Sequence, residues 1–331
     1  MWGSWEWKGS IGQFGYKDSQ SMEGDGFVTL MITKLQDQAE STSEKQKIEA
    51  AADRGPVFVL GRTILKANKG WFARFTIEYL YRFLQKNSRE AISSLQIPPD
   101  KTLPRQTLAT MDATELTVYR TSCTSALASK YLSRQDSNTL LMIGAGTLAP
   151  HLIKAHLTVR PNLKKVIVWN RTADKAKRVI DKLQSEGGFE GVNWEVSGCL
   201  EEVVGLGDIV SCATNSETPL VKGGMLKEGA HLDLVGSFKH TMRECDDEAL
   251  KRGKVFVDNE AAMVEAGELV GAFERGVIRK DEIVGDLLEL IKGEKNGRRS
   301  DEDITVFKSV GSAVVDLLTA QLAYETYMKS C

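Results

Sequence analysis

The sequence predicts a doubly wound α/β fold, a parallel sheet covered by helices on both faces. Beside it stands a second, N-terminal α+β domain completed by the C-terminal helix. Three observations carry this. From Thr139 onward short apolar runs alternate with helical segments, as expected of strands buried on both faces of a parallel sheet. One strand–turn–helix junction in that stretch reads Gly144-Ala145-Gly146-Thr147-Leu148-Ala149. The first hundred residues have a different texture, with scattered tryptophans, a polar tract and a separate amphipathic segment.

The bulk properties narrow the class. A chain of 331 residues favours two domains and can bury a real core. With 42% hydrophobic and 27% charged residues it is an ordinary globular chain. A net charge of −2 gives no electrostatic reason to expect nucleic acid or an anionic membrane as partner. No apolar run approaches the roughly 18–20 residues that span a bilayer. The N-terminus "MWGSWEWKGSIGQFGYKDSQSMEGDG" lacks an apolar signal core and is too acidic for a transit peptide. The expected location is cytoplasmic, with the plastid as the alternative if a targeting segment belongs in front. Cys123, Cys199, Cys212, Cys245 and Cys331 form neither a zinc knuckle nor a CxxC pair. His151, His156, His231 and His240 supply no metal-spaced pair, so no metal is expected.

Taken in order, Trp2, Trp5 and Trp7 alternate at strand period. Residues 32–54 are polar and helix-permissive, and "VFVLGRTIL" (57–65) has the composition of a strand. In 71–95, Phe72, Phe75, Ile77, Tyr79, Leu80 and Phe83 crowd one broad face of an amphipathic helix. "IPPDKTLPRQ" (97–106) carries three prolines and reads as a linker. "TLLMIG" (139–144) is the first buried strand, and 148–159 the helix after it. "KVIVWN" (165–170) and 173–186 repeat the pair. Further strands are expected at 193–196, 208–214, 230–237 and 254–259. Residues 306–329 read as one long amphipathic helix.

Gly144 to Ala149 match G-x-G-x-x-G/A, with a strand before and a helix after, which is the context that gives this short pattern weight. Gly144 allows a tight turn, Gly146 lets the backbone approach a pyrophosphate, and Ala149 lets helix and strand pack closely. The pyrophosphate would lie on the helix N-terminus, on its free amides and positive dipole end. After the second strand an NAD site expects an acid for the ribose hydroxyls. This chain has Asn170-Arg171-Thr172 instead. Arg171 can grip a 2′-phosphate with a charged fork and Thr172 can add a hydroxyl, which favours NADP(H) over NAD(H). A solvated loop arginine is the plainer reading of Arg171.

"QTLATMDATELTVYRTS" (106–122), the glycine fingerprint, "GDIVSCATNSETPLV" (207–221) and the segment from Val255 to Tyr327 follow one another in a recognisable order. In these residues, over about 106–329, the chain resembles the ornithine cyclodeaminase/mu-crystallin family. Several segments are similar to the plant branch of SAR-deficient-type proteins, which reduce cyclic ketimine carboxylates such as piperideine-2-carboxylate. The resemblance implies that Arg120, in "YRTS", binds the substrate carboxylate as the catalytic-site arginine. It places Thr121 near the cofactor, "CATNS" (212–216) beside the nicotinamide ribose and "KSVG" (308–311) as the segment closing the site. The cofactor-binding set expected is Thr121, Gly144, Ala145, Gly146, Thr147, Leu148, Asn170, Arg171, Thr172, Ala213, Thr214, Asn215 and Ser237. It also implies an NADP-binding domain over 125–302, a connecting segment at 106–124, a C-terminal helix at 303–331 and a homodimer. Cyclodeaminases of the family carry a catalytic Asp just after the fifth strand. Here Phe238 stands at that position, and a phenyl ring cannot take a proton. Asp233 lies earlier, inside the strand, and reads as structural.

Residues 1–105 depart from the family. Relatives place there a second arginine and a lysine in a G-V-K-type strand, both on the substrate carboxylate. Lys66 and Lys69 are the nearest lysines here and do not match that pattern. Either a different segment has replaced that half, or the sequence reflects an altered transcript or gene model. Three functions follow from the resemblance. The first is an NADPH-dependent reductase of small cyclic imino acids. The second is a non-catalytic NADP(H)-binding protein of the mu-crystallin kind. The third is ornithine cyclodeaminase itself, disfavoured by Phe238.

Overall fold

The computed structural model describes residues 4–6, 15–17, 27–30, 59–60 and 109–330. These fall into two compact units, one of residues 118–315, the other holding the described residues before 118 and those from 316 onward. In the latter, β1 (Ser4–Glu6) pairs antiparallel with β2 (Gly15–Lys17). β3 (Phe27–Leu30) pairs antiparallel with β5 (Ala109–Asp112), and the two-residue β4 (Val59–Leu60) joins β5 in parallel. Trp5 thus lies in a strand, and β4 falls inside the strand expected at 57–65. The amphipathic helix expected at 71–95, the polar tract, the linker, Trp2, Trp7, Lys66 and Lys69 lie outside the described residues.

α1 (Ala113–Leu132) runs unbroken through the "YRTS" segment, for which no helix is predicted from the sequence. Its last carbonyls, which have no partner within the helix, are taken by two arginines. Arg160 Nη2 donates to the carbonyls of Ser129, Lys130 and Ser133 at 2.8–3.1 Å. Arg298 Nε donates to Leu132 O at 2.9 Å. Cations at a helix C-terminus also complement its dipole.

The larger unit is built on an eight-stranded sheet. β6 (Thr139–Ile143) leads through α2 (Ala149–Val159) to β7 (Lys165–Trp169), and α3 (Ala173–Glu186) leads to β8 (Asn193–Ser197). The short α4 (Leu200–Val203) precedes β9 (Ile209–Cys212) and β10 (His231–Leu234). α5 (Asp247–Arg252), β11 (Lys254–Val257), α6 (Ala262–Glu265) and α7 (Gly267–Glu274) follow. Then come β12 (Gly285–Asp286), α8 (Leu287–Lys292), β13 (Thr305–Lys308) and α9 (Ala313–Ser330). The spatial order is β12-β11-β13-β10-β9-β6-β7-β8, and every pairing is parallel.

Strand period 2 divides the core between the two faces. Leu140 and Met142 of β6 and Val166 and Val168 of β7 pack with Leu152 and Ile153 of α2 and Val179, Ile180 and Leu183 of α3. Leu141, Ile143 and Ile167 belong to the opposite cluster, with Leu250 of α5 and Leu269 of α7. α3 buries Ala176, Val179, Ile180 and Leu183, a stripe at helical spacing, and ends at Gly187. Among the described residues no helix is long and apolar enough to cross a membrane.

The expected strands at 139–144, 165–170, 208–214, 230–237 and 254–259 form trimmed at their ends, that at 193–196 forms one residue longer, and the helices at 148–159 and 173–186 form nearly as read. The single helix expected over 306–329 does not. Thr305–Lys308 is a fully buried strand inserted between β10 and β11, and the helix starts at Ala313. Gly311 interrupts the two with a φ of 95°, which a helix cannot accommodate. β12 has only two residues and no pattern of its own.

Candidate active site

β6 lies between β7 and β9, so the chain leaves it in one direction to β7 and β8 and in the other to β9 and β10. Open parallel sheets bind ligands outside the strand C-termini at such a switch point. The candidate residues are at this edge. Gly144 follows β6 with a φ of 107°, and a Cβ there would fall 2.5 Å from the carbonyl oxygen of Ala213. Only glycine permits that turn and that approach. Gly146 and Thr147 are exposed, and a Cβ on Gly146 would meet nothing within 4 Å. The space over that turn is open to a bulky group. Leu148 caps α2 without any side-chain hydrogen bond, and no acid occupies the first turn. Ala149 is fully buried against the sheet. These features fit a bound pyrophosphate.

Asn170, Arg171 and Thr172 follow β7. Asn170 Nδ2 donates to Thr172 O at 2.9 Å, which shapes the turn before α3. Arg171 and Thr172 are exposed, and Arg171 is in no ion pair among the described residues. Asp174 stands in the first turn of α3, where the helix dipole favours an acid. Ala213, Thr214 and Asn215 follow β9, and Ser237 follows β10 with a φ of 50°. Ser237 is buried and its hydroxyl donates to Met242 O at 2.6 Å, so the hydroxyl serves the loop. Thr121 is buried in α1, next to Arg120. Phe238 is 43% exposed, at the rim beyond β10.

Arg120 reaches the same edge from α1. Its guanidinium lies against Gly311, where any Cβ would collide with Nη1. The 309–311 turn is itself held by Asp258, at the end of β11. Asp258 Oδ2 accepts from Ser309 Oγ (3.1 Å), Val310 N (3.0 Å) and Gly311 N (2.7 Å). Enclosure of this carboxyl raises its pKa to about 6 despite those donors.

Below the Thr214 loop lies a buried ionic cluster. Glu244 Oε1 accepts from Thr214 N (2.6 Å) and Thr214 Oγ1 (2.8 Å). Glu268 Oε1 accepts from Glu244 N at 2.6 Å, and Lys308 Nζ lies 3.9 Å from Glu268 Oε2. Lys308 also donates to Leu234 O at 3.1 Å and to Gly236 O. All three side chains are fully buried. Burial pushes the Glu244 carboxyl up to about 7, against the pull of Lys308.

Sequence reasoning missed Glu244, Glu268 and Asp258. They stand at no characteristic spacing, and Glu244 is one of several acids in "RECDDE" (243–248), with nothing local to single it out. Asp233 is internal to the sheet. It accepts from Ser211 Oγ at 2.7 Å and meets His156 Nε2 at 3.3 Å. Burial raises its pKa, but His156, His231 and the Ser211 hydroxyl together outweigh this and leave it lowered. Burial also pushes His231 down to about 3, so it is neutral. Among the described residues no His/Cys/Asp/Glu group could hold a metal.

The family model described as "Ornithine cyclodeaminase/mu-crystallin family" matches residues 104–330. A different model, "K+ potassium transporter C-terminal domain", matches residues 10–115. The chain is 60% identical over 226 residues to Protein SAR DEFICIENT 4 of Arabidopsis thaliana, covering 68% of this chain and 70% of that protein. It is 40% identical over 219 residues to a Delta(1)-pyrroline-2-carboxylate reductase of Colwellia psychrerythraea, covering 66% and 68%. Among solved structures, the Delta(1)-pyrroline-2-carboxylate reductase of Thermococcus litoralis, in complex with NADH and L-proline, is similar with 34% identity and a TM-score of 0.66. It covers 69% of each chain. The glycine turn, the switch-point loops and the returning strand all lie within the span of the matched family model. The chain thereby belongs to the ornithine cyclodeaminase/mu-crystallin family.

Proposed function

We propose that this chain is an NADPH-dependent reductase of cyclic ketimine carboxylates, of the piperideine-2-carboxylate type. The observation that carries the reading is convergence. The Gly144 turn, the Thr214 loop and the Gly311 turn with Arg120 against it meet at the C-terminal edge of one parallel sheet. The similarity to reductases of a smaller cyclic imine, one of them holding NADH and L-proline, supports the substrate class.

A bound nicotinamide cofactor would supply the hydride that converts a C=N carbon to C–H. The open turn at Gly146–Thr147 and the uncapped start of α2 would hold its pyrophosphate. Arg171, exposed and in no ion pair among the described residues, would take a 2′-phosphate; this supports NADPH over NADH. Arg120 would hold the substrate carboxylate with its planar fork. A cyclic ketimine protonates readily and is then already electrophilic, so the protein's task is mainly orientation. Phe238 at the rim offers no proton acceptor, consistent with reduction and not with deamination.

The second reading is a non-catalytic NADP(H)-binding protein. It is favoured by one observation: the family model begins at residue 104, and the preceding part matches another family. One experiment separates the two, NADPH consumption with piperideine-2-carboxylate measured beside NADPH binding by fluorescence. Turnover establishes the reductase, and binding without turnover establishes the alternative.

A further inference from the structure

We propose that Glu244 is a positioning residue for the nicotinamide half of the cofactor, acting through the loop of Thr214. This rests on the dinucleotide reading of the site. The adenosine half would lie toward β7, where Arg171 is, and the pyrophosphate over Gly146, so the other half extends toward β9 and β10. The loop it meets there, 213–216, is short and irregular. Its ends are pinned by backbone bonds, Ala213 N donating to Ile143 O at 2.9 Å and Arg243 N to Ser216 O at 2.7 Å.

What holds its middle is Glu244. A single oxygen, Oε1, takes both donors of Thr214, the amide at 2.6 Å and the hydroxyl at 2.8 Å. The hydroxyl in turn accepts from Ser216 N at 3.3 Å, extending the anchor along the loop. Glu244 is fixed from behind, because its own amide donates to Glu268 Oε1. Gly236, at the end of β10, packs so closely on Thr214 O and Glu244 Oε1 that any side chain would strike both. Lys308, from β13, ties Gly236 O into the same cluster. The loops after β9, β10 and β13 therefore share one buried cluster, and Glu244 is its direct link to the loop over β9. A solvent-facing threonine turn would need no such structure. A buried carboxylate spent on one backbone amide and one hydroxyl is explained if that loop must not move.

The test measures binding of NADPH and of 2′,5′-ADP, which lacks the nicotinamide half, to the full chain and to Glu244→Ala and Glu244→Gln. Glu244→Ala is expected to weaken NADPH on the order of tenfold or more and to leave 2′,5′-ADP within about twofold. Glu244→Gln keeps an acceptor at Oε1 and should restore NADPH binding to within about threefold of the parent. Equal loss of both ligands, or loss of neither, overturns the proposal. If Glu244→Ala does not fold, Thr214→Val removes the hydroxyl from the loop side and must show the same split; equal effects on the two ligands again overturn it. A parent chain that binds neither nucleotide defeats the dinucleotide reading instead. Amide exchange of the 213–216 segment without nucleotide then decides the anchoring. Faster exchange in the variant supports it, and unchanged exchange overturns it.

Discussion

Arg171 and Arg120 carry charges of the same sign, are proposed for different tasks, and stand in different surroundings. Arg171 stands exposed after β7 without an ion pair among the described residues, available to a mobile anion. Arg171→Asp would replace a charge-assisted contact, worth about 1.5–3 kcal/mol, with repulsion. NADPH affinity should fall on the order of tenfold or more, read by fluorescence titration. Equal affinity in parent and variant would remove Arg171 from the site. Arg120 is instead pressed against Gly311, which limits the directions its fork can take. Arg120→Ala should abolish turnover of piperideine-2-carboxylate and leave NADPH binding nearly unchanged. Unaltered turnover would refute its role on the carboxylate.

β13 carries Lys308 of the buried cluster, and the turn after it lies against Arg120, so a change within them bears on both stability and geometry. Phe307 is fully buried in the middle of the sheet. Phe307→Ala should cost about 3–5 kcal/mol through lost contacts and a cavity, measured as a lower urea midpoint. The turn itself is sensitive to pH through Asp258. Its carboxyl titrates near 6 in the fold and near 3.8 in a free chain. The folded state thus holds its proton more tightly, and the contribution to stability is complete below about pH 3.8. It is lost as pH rises through 6. Glu244, raised to about 7, adds a decline of the same sign over a slightly higher range. Urea midpoints taken from pH 4 to 8 should fall with rising pH, and Asp258→Asn should flatten the lower part of that fall. An unchanged slope in the variant would show that Asp258 titrates as in the unfolded chain.

The chain joins segments that match two different families, one at 10–115 and one at 104–330. The family's other cationic ligands for the substrate carboxylate would come from the half that does not match. Arg120 would then carry most of that contact. Turnover by the full chain should be weak beside NADPH binding of ordinary strength, and steady-state assay with both measured on one preparation checks this. The resemblance also implies a homodimer, formed in relatives through the N-terminal half. Light scattering giving a monomer mass would indicate that the 1–105 segment does not supply that interface.

Much of the architecture was legible in the amino-acid order because local physics dictated it. Each apolar run is long enough to cross a sheet and is followed by a helical stripe, and glycine alone fits the turn at Gly144. The place of Arg171 after the second strand was legible too; its proposed role rests on the opposite demands that an acid and a base make on a phosphate. Other features were not written locally. "TVFK" has four residues of ordinary β-propensity joined to a helical pattern, and its place between β10 and β11 follows from the pairing partners on either side. Glu244, Glu268 and Lys308 are separated by 24 residues or more along the chain. Nothing in their spacing marks them. A buried charge is tolerable only beside a compensating group, and which group lies beside it is set when β9, β10, β13 and α7 pack together.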